Sequence, residues 1–268
     1  MSERERNTPP AAAVREAPGA LRGGAVLEIQ TRETRRLVRG RRAEDGHPGW
    51  PGLLRFAAMT RVIWAGAEGD DPWADWWLLR VEAQLHRSRE EIAAVTEEIR
   101  QRLSGVRALR IDLAQTDEPA RIELNFGTPY GFMAAYLLAD HDELVRAVLT
   151  ARHVGLLNRD TADRLVHEAN RAARRALQSA LGYRYLAVTR EDVRQGTAKA
   201  ARARELMGRV PQEVVDGEAR AEHAPAPRRR RGRREEAEEA GAADGSGDDG
   251  TETPPRDPLA ASEGGLRC

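Results

Sequence analysis

Residues 25–42 read AVLEIQTRETRRLVRGRR, and their two halves have different periods. From Ala25 to Arg32 the pattern alternates. Leu27 and Ile29 fall on one side, and Glu28, Gln30 and Arg32 on the other, which predicts a short amphipathic strand. From Glu33 to Arg42 the period becomes helical: Arg35 and Arg39 share one face, and Arg32 and Arg36 the neighbouring one. Arg32, Arg35, Arg36, Arg39, Arg41 and Arg42 lie close together, with only Glu33 against them. Such a cluster suits a row of phosphates. The outward side chains of the strand suit base edges: Gln for adenine, Arg for guanine and Glu for cytosine N4. A two-stranded ribbon fits the major groove of double-stranded DNA. In β-ribbon regulators each subunit gives one strand, so Leu27 and Ile29 would then be buried by dimerisation.

Working outward, the loop 43–52 is rich in breakers, and 53–64 (LLRFAAMTRVIW) is spaced as a helix. Asp71–Pro72 opens the longest helix, to about Leu103, with aspartate as N-cap and proline at the first helical position. Leu78, Leu85, Ile92 and Ile99 recur every seven residues, a heptad that predicts either a coiled-coil seam with a second subunit or an antiparallel hairpin within the chain. Residues 108–114 (ALRIDLA) and 120–126 (ARIELNF) alternate as strands around a QTDEP turn, and 132–139 (FMAAYLLA) reads as a third. Helices follow over about 140–154, 158–180 and 189–207, the last opened by Thr189 with Asp192. Arg121, Glu123 and Asn125 on the second strand form a second candidate reading surface. Arg164, Arg171 and Arg175 on one helix form a third candidate for phosphates. A solvated face in an arginine-rich chain is the alternative for all three.

Composition bounds the function. The 268 residues carry 43 basic and 43 acidic side chains. The balance is uneven: from Glu235 onward acids outnumber arginines ten to two, so the rest is correspondingly basic. Residues 1–18 and 216–268 read as disordered, the latter basic (RRRRGRR, 228–234) then acidic, and 19–215 as the folded domain. Cys268 is the single cysteine, which excludes an intramolecular disulfide or a Cys-ligated zinc. No apolar run approaches a bilayer-spanning length and no hydrophobic signal segment is visible, so a cytoplasmic protein without a membrane partner is expected.

Motifs of catalysis are missing. There is no phosphate-binding glycine loop after a strand, no nucleophile elbow and no H-E-x-x-H pair. Asp140, His141, Asp142 and Glu143 are consecutive, so they diverge around a helix and make a poor metal site. An acidic first turn explains them better. No enzyme, cofactor, metal or small-molecule substrate is expected. Trp73 and Trp77, at i,i+4, read as anchors of the long helix in the core.

Four runs carry a resemblance: GALRGGAVLEIQTRETRRLVRGRR, DDPWADWWLLRVE, YLLADHDELVRAVLTARHVGLLNRDTADRLVHEANRAARRAL and YRYLAVTREDVRQGTAKAARARELMG. Over about 19–210 the chain resembles the AcaB-like family of integrating conjugative element proteins. The resemblance implies a DNA-binding transcriptional regulator of conjugation genes with a ribbon-helix-helix element. That element would comprise the strand 25–32, the basic helix 33–42 and the helix 53–64, with the 120–180 block as rival. The expected fold is therefore α+β and helix-dominated: a ribbon-helix-helix-like element, a long heptad helix and a small antiparallel β unit. The expected function is a dimeric regulator of an integrative and conjugative element. The alternative is a non-catalytic accessory or scaffold protein acting through helix–helix contacts.

Overall fold

Aspartate followed by proline starts the element around which the chain is built. In a computed structural model, which describes residues 24–43 and 49–228, helix α3 (Pro72–Ser104) begins where Asp71 accepts hydrogen bonds from the backbone N–H of Trp73 (2.8 Å) and Ala74 (3.4 Å). The lead 1–18 and the acidic tail lie outside the described residues. At 1.5 Å per residue α3 is a rod of roughly 50 Å. Strand β1 (Ala25–Ile29), helix α1 (Arg32–Arg39) and helix α2 (Leu53–Glu68) precede it. After it come β2 (Ala120–Leu124), α4 (Pro129–His153), α5 (Arg159–Gln178), α6 (Arg190–Gln195), α7 (Ala198–Met207) and α8 (Gln212–Val215). The fold is α+β and helix-dominated, with a two-stranded antiparallel sheet.

The heptad stripe is covered by the chain itself. Leu78, Leu85, Ile92 and Ile99 are buried against α2, α4 and α5. Each such side chain contributes roughly 1.5–3 kcal/mol by leaving water. The expected seam with a second subunit is corrected here: these four residues are inside. The intrachain alternative also needs amendment. Glu82 meets Tyr130, Arg89 meets Asp140 and Arg100 meets Glu143, so α3 and α4 climb in the same direction rather than as an antiparallel hairpin. The extended chain between them carries the polypeptide back to the start. Trp73 and Trp77 are buried, and their indole N–H groups donate to the carbonyls of Gly208 (2.9 Å) and Leu181 (3.0 Å).

Only one of the three segments expected as strands after α3 is a strand. Residues 132–139 lie inside α4. A short apolar run does not by itself distinguish a strand from a buried helix, and Pro129 at the first helical position is the cue that decides. Residues 108–114 start at Ala108 with a positive φ of 60° and join no ladder. Instead, Ala114 donates to Thr150 Oγ1 (3.0 Å) and accepts from Arg146 Nε (2.8 Å). β2 pairs with β1, in the register Leu27↔Ile122 and Glu28↔Arg121. The ribbon is thus closed within one chain, not between two. Leu27 and Ile29 are buried beneath it in the core.

The C-terminal helical pattern splits at Gly196, which takes the left-handed conformation (φ 64°), while Thr189 and Asp192 form the expected capping box. Residues 216–228, expected as the start of the disordered tail, are folded onto the body. Arg220 reaches Asp75 (2.8 Å), and Arg228 N–H donates to the Glu68 carbonyl (2.8 Å). Composition reads them as tail because the partners lie some 150 residues away. Among the described residues no helix is long and apolar enough to cross a membrane.

Candidate nucleic-acid interface

Helix α1 is short, so its position depends on what holds its ends. Asp142 on α4 accepts from Gln30 N–H (3.0 Å), Thr31 N–H (2.9 Å) and Thr31 Oγ1 (2.7 Å). Thr31 is the N-cap and accepts from Thr34 N–H (3.3 Å). Counting protons fixes the rest. The Thr31 hydroxyl gives its hydrogen to a carboxylate, so Thr34 Oγ1 donates to Thr31 (2.9 Å), and His141 Nδ1–H donates to Thr34 (2.8 Å). His141 Nε2 is then a bare, buried acceptor without a hydrogen-bond partner, close to Asn170. The acidic run 140–143 is thereby explained without metal. Asp140 and Glu143 pair with Arg89 and Arg100, and His141 and Asp142 fasten α1. The ligand atoms of Glu82, Glu222 and His223 lie within 4.8 Å of one another. Glu82, however, already accepts from Tyr130 and from the backbone of residues 222 and 223, which is a clasp for the C-terminal segment.

Anchored this way, α1 buries Thr34 and Leu37 and turns its arginines outward. Past α1 the chain crosses itself at two glycines. Gly40 has φ 71°, and a Cβ on Gly52 would lie 2.3 Å from the Val38 carbonyl oxygen, a backbone atom unable to move aside. Gly52→Ala is expected to destabilise the protein by about 2–3 kcal/mol. Urea denaturation measures this, and an unchanged midpoint would show that the crossing is looser than drawn.

The crossing sets three arginine sources side by side. A hollow of about 630 Å³ is lined by Arg36, Arg39, Arg41, Arg42, Arg55 and Trp50. An adjoining one of about 300 Å³ is lined by Arg41, Trp50, Arg171, Arg174 and Arg175. Trp50 joins them: the guanidinium carbons of Arg41 and Arg174 sit 4.4 Å and 5.2 Å from its ring centroid. Cation–π contacts of this kind hold like charges close despite their repulsion. Arg175 pairs with Glu91 (2.5 Å). Arg36, Arg39, Arg42, Arg55, Arg171 and Arg174 have no acidic partner among the described residues.

The structure thus brings the first and third sequence candidates together and leaves the second aside. Arg32 and Arg36 line a further hollow toward α4, described below. Arg35 and Arg164 are exposed but line none of these hollows. The outward ribbon face holds Val26, Glu28, Arg121 and Glu123, and Arg121 Nε pairs with Glu28 (3.0 Å). Two acids against one neutralised arginine make that face unsuited to a polyanion. Asn125 is exposed just beyond β2. The amide of Gln30, expected on a base edge, instead accepts from Thr116 N–H (3.0 Å). Arg55, Arg146 and Arg152 escaped sequence reading because none belongs to a local run of basic residues, whereas Trp50 stood out only as one of five clustered tryptophans able to stack on bases or a partner. Arg174 was visible as part of a basic helix face.

Residues 17–228 match the profile of the transcriptional regulator AcaB. The chain belongs to the AcaB family of transcriptional regulators. In fold it is similar to the crystal structure of selenomethionine-containing AcaB from uropathogenic E. coli. The TM-score is 0.51 and the identity 13%, over 72% of this chain and 95% of that one. No curated protein matches in sequence. The AcaB match ends at residue 228, where the described fold also ends.

Two buried groups in this AcaB fold give opposite pH trends. Burial pushes His141 down from 6.5 to about 4 and outweighs the attraction of Asp142. Folded His141 binds its proton less well than unfolded, so its contribution is full above 6.5 and is lost as pH falls towards 4. Burial pushes Asp71 up from 3.8 to about 6, against the lowering effect of its Tyr183 hydrogen bond. Folded Asp71 holds its proton more tightly, so its contribution is lost as pH rises from 3.8 through 6. Each is worth about 3 kcal/mol, and in the parent they nearly cancel. Asp71→Asn, which keeps a capping oxygen, removes one trend. The variant is expected to lose about 3 kcal/mol of stability between about pH 6.5 and pH 4 beyond the parent's change. Urea titrations across that range check it, and a variant as flat as its parent would contradict the neutral buried imidazole.

Proposed function

We propose that this regulator binds double-stranded DNA by gripping the sugar-phosphate backbone with the arginine surface around Trp50. The ribbon does not read bases in this reading. The carrying observation is the gathering of Arg36, Arg39, Arg42, Arg55, Arg171 and Arg174 on contiguous hollows, with no acidic partner among the described residues. Guanidiniums so placed exchange condensed counterions for protein contacts, which favours binding and makes it salt-dependent. α1 and α5 both pack on α4, which sets the spacing of the charges they carry. Membership of a transcriptional regulator family supports a DNA target, and the resemblance to proteins of integrative and conjugative elements supports the transfer genes of such an element. The site of action is then the cytoplasm, and no catalytic step is needed.

Fluorescence anisotropy with duplex from upstream of the element's transfer genes, over a range of salt, tests this. The logarithm of affinity should fall against that of salt with a slope of about −5. A slope shallower than about −2 would be too small for a backbone grip.

A second reading, a non-catalytic accessory protein, can no longer use the heptad helix. It draws instead on Leu54 and Val62, which are 63% and 47% exposed two turns apart on α2. Duplex binding with the steep salt slope decides against it.

A further inference from the structure

We infer that the hollow between α1, α4 and α5 is a binding site for a small phosphate-bearing molecule, adjoining the arginine surface and sharing Arg36 with it. It has a volume of about 640 Å³, within the range of cavities that take small ligands. Its cations come from two helices far apart in the sequence: Arg32 and Arg36 on α1, and Arg146 and Arg152 on α4.

Two carboxylates also line the hollow, Glu33 and Asp163, but Asp163 is already shared. Arg152 Nη1 and Arg159 Nε each lie 3.5 Å from it, which is a loose hold. Arg152 is therefore only weakly engaged, and Arg32 and Arg36 have no acidic partner among the described residues. Positive charge is in excess within a concave space, where a compact anion gains more than on an open face.

The wall opposite α1 is built, not incidental. The extended segment 114–116 is pinned by Arg146 Nε on the Ala114 carbonyl, by Thr150 on the Ala114 amide and by Gln30 on the Thr116 amide. These bonds hold the Arg146 side chain at the rim and keep the hollow open. Leu149 and Val166 give an apolar patch beside the cations, and Asn170 and His167 offer polar side chains. The combination fits a phosphate monoester on a small organic body better than a bare inorganic ion.

Arg36 lines both this hollow and the arginine surface. An anion bound here takes one cation from the DNA grip and weakens it. That consequence rests on the DNA reading, whereas the site itself does not.

Calorimetry of the full chain without DNA, against AMP, glucose 6-phosphate and pyrophosphate, tests the site, with adenosine as uncharged control. At least one phosphate ester should bind with Kd below about 1 mM, and adenosine not. Arg152→Gln, which leaves the wall bonds intact, and Arg146→Ala should each weaken it about tenfold. Arg42→Ala with Arg55→Ala should leave it within about twofold while weakening duplex binding. If no probe binds, if adenosine binds equally, or if Arg152→Gln weakens duplex as much as Arg42→Ala does, the hollow serves a DNA phosphate or nothing and the inference is overturned. Duplex affinity should fall severalfold at saturating ester, and no fall would overturn the coupling through Arg36. Were the Arg42/Arg55 variant to leave duplex binding intact, the DNA reading alone would fail, because the ester is measured separately.

Discussion

Replacing Arg39, Arg42 and Arg55 with alanine is expected to lower duplex affinity about a thousandfold near 0.1 M salt, and to make the salt slope shallower by about three. Each of these guanidiniums is exposed and has no acidic partner among the described residues, so each is available to a phosphate. One phosphate contact is worth roughly tenfold at that ionic strength, through the counterion it releases. The loss should be the same on operator and on unrelated duplex, because phosphates carry no sequence information. Folding should hold, since exposed substitutions of this kind usually stay within about 0.5 kcal/mol. Arg121→Ala on the ribbon is the contrast. Its partner is Glu28, and the variant should bind duplex within about twofold of the parent. A triple variant that binds as tightly as the parent, with unaltered slope, would remove the arginine surface as the DNA site.

The largest expected loss of stability is at Asp75. This carboxylate is fully buried on the first turn of α3, yet it answers two guanidiniums. Arg190 Nη2 lies 2.6 Å away, and Arg220 binds it through two nitrogens at 2.8 and 3.1 Å. Arg190 is itself buried and also donates to the carbonyls of Val214 and Val215 and to Asp70. Asp70 stands at φ 64°, in the left-handed region that aspartate tolerates better than most residues. One charge thus ties the start of α3 to α6, α8 and the 216–228 segment. Asp75→Ala leaves Arg220 without a carboxylate and Arg190 with Asp70 alone, in a site that water reaches poorly. Breaking a buried pair in this way costs about 3–5 kcal/mol. At 2–4 °C per kcal/mol for a domain this size, Tm should fall by roughly 10 °C or more. Limited proteolysis near residue 220 should speed up in parallel. A loss below about 1 kcal/mol would mean that the network is locally relaxed and does not fasten the C-terminal segment.

Much of this molecule was legible residue by residue. The Asp71–Pro72 start of α3, the Thr189/Asp192 capping box, the outward arginines of α1 and the inward heptad of α3 all follow from local chemistry. Capping oxygens, proline's fixed φ and the 3.6-residue period act within a turn or two, so a short window of sequence contains the whole cause.

What the window lacks is the identity of whatever covers each apolar side. The stripe on α3 would suit a second subunit equally well; α2, α4 and α5 cover it because the chain returns along 105–128 to lay α4 parallel to it. β1 could have paired with a copy of itself, but β2 reaches it across 93 residues and buries Leu27 and Ile29. The segment 216–228 looks like tail until Asp75 supplies its partner. Arg55, Arg146 and Arg152 acquire meaning only when α1, α2, α4 and α5 converge. Side-chain period fixes which face shuns water, whereas long-range pairing is settled by shape, charge and chain closure summed over the whole domain, and only the folded chain displays that sum.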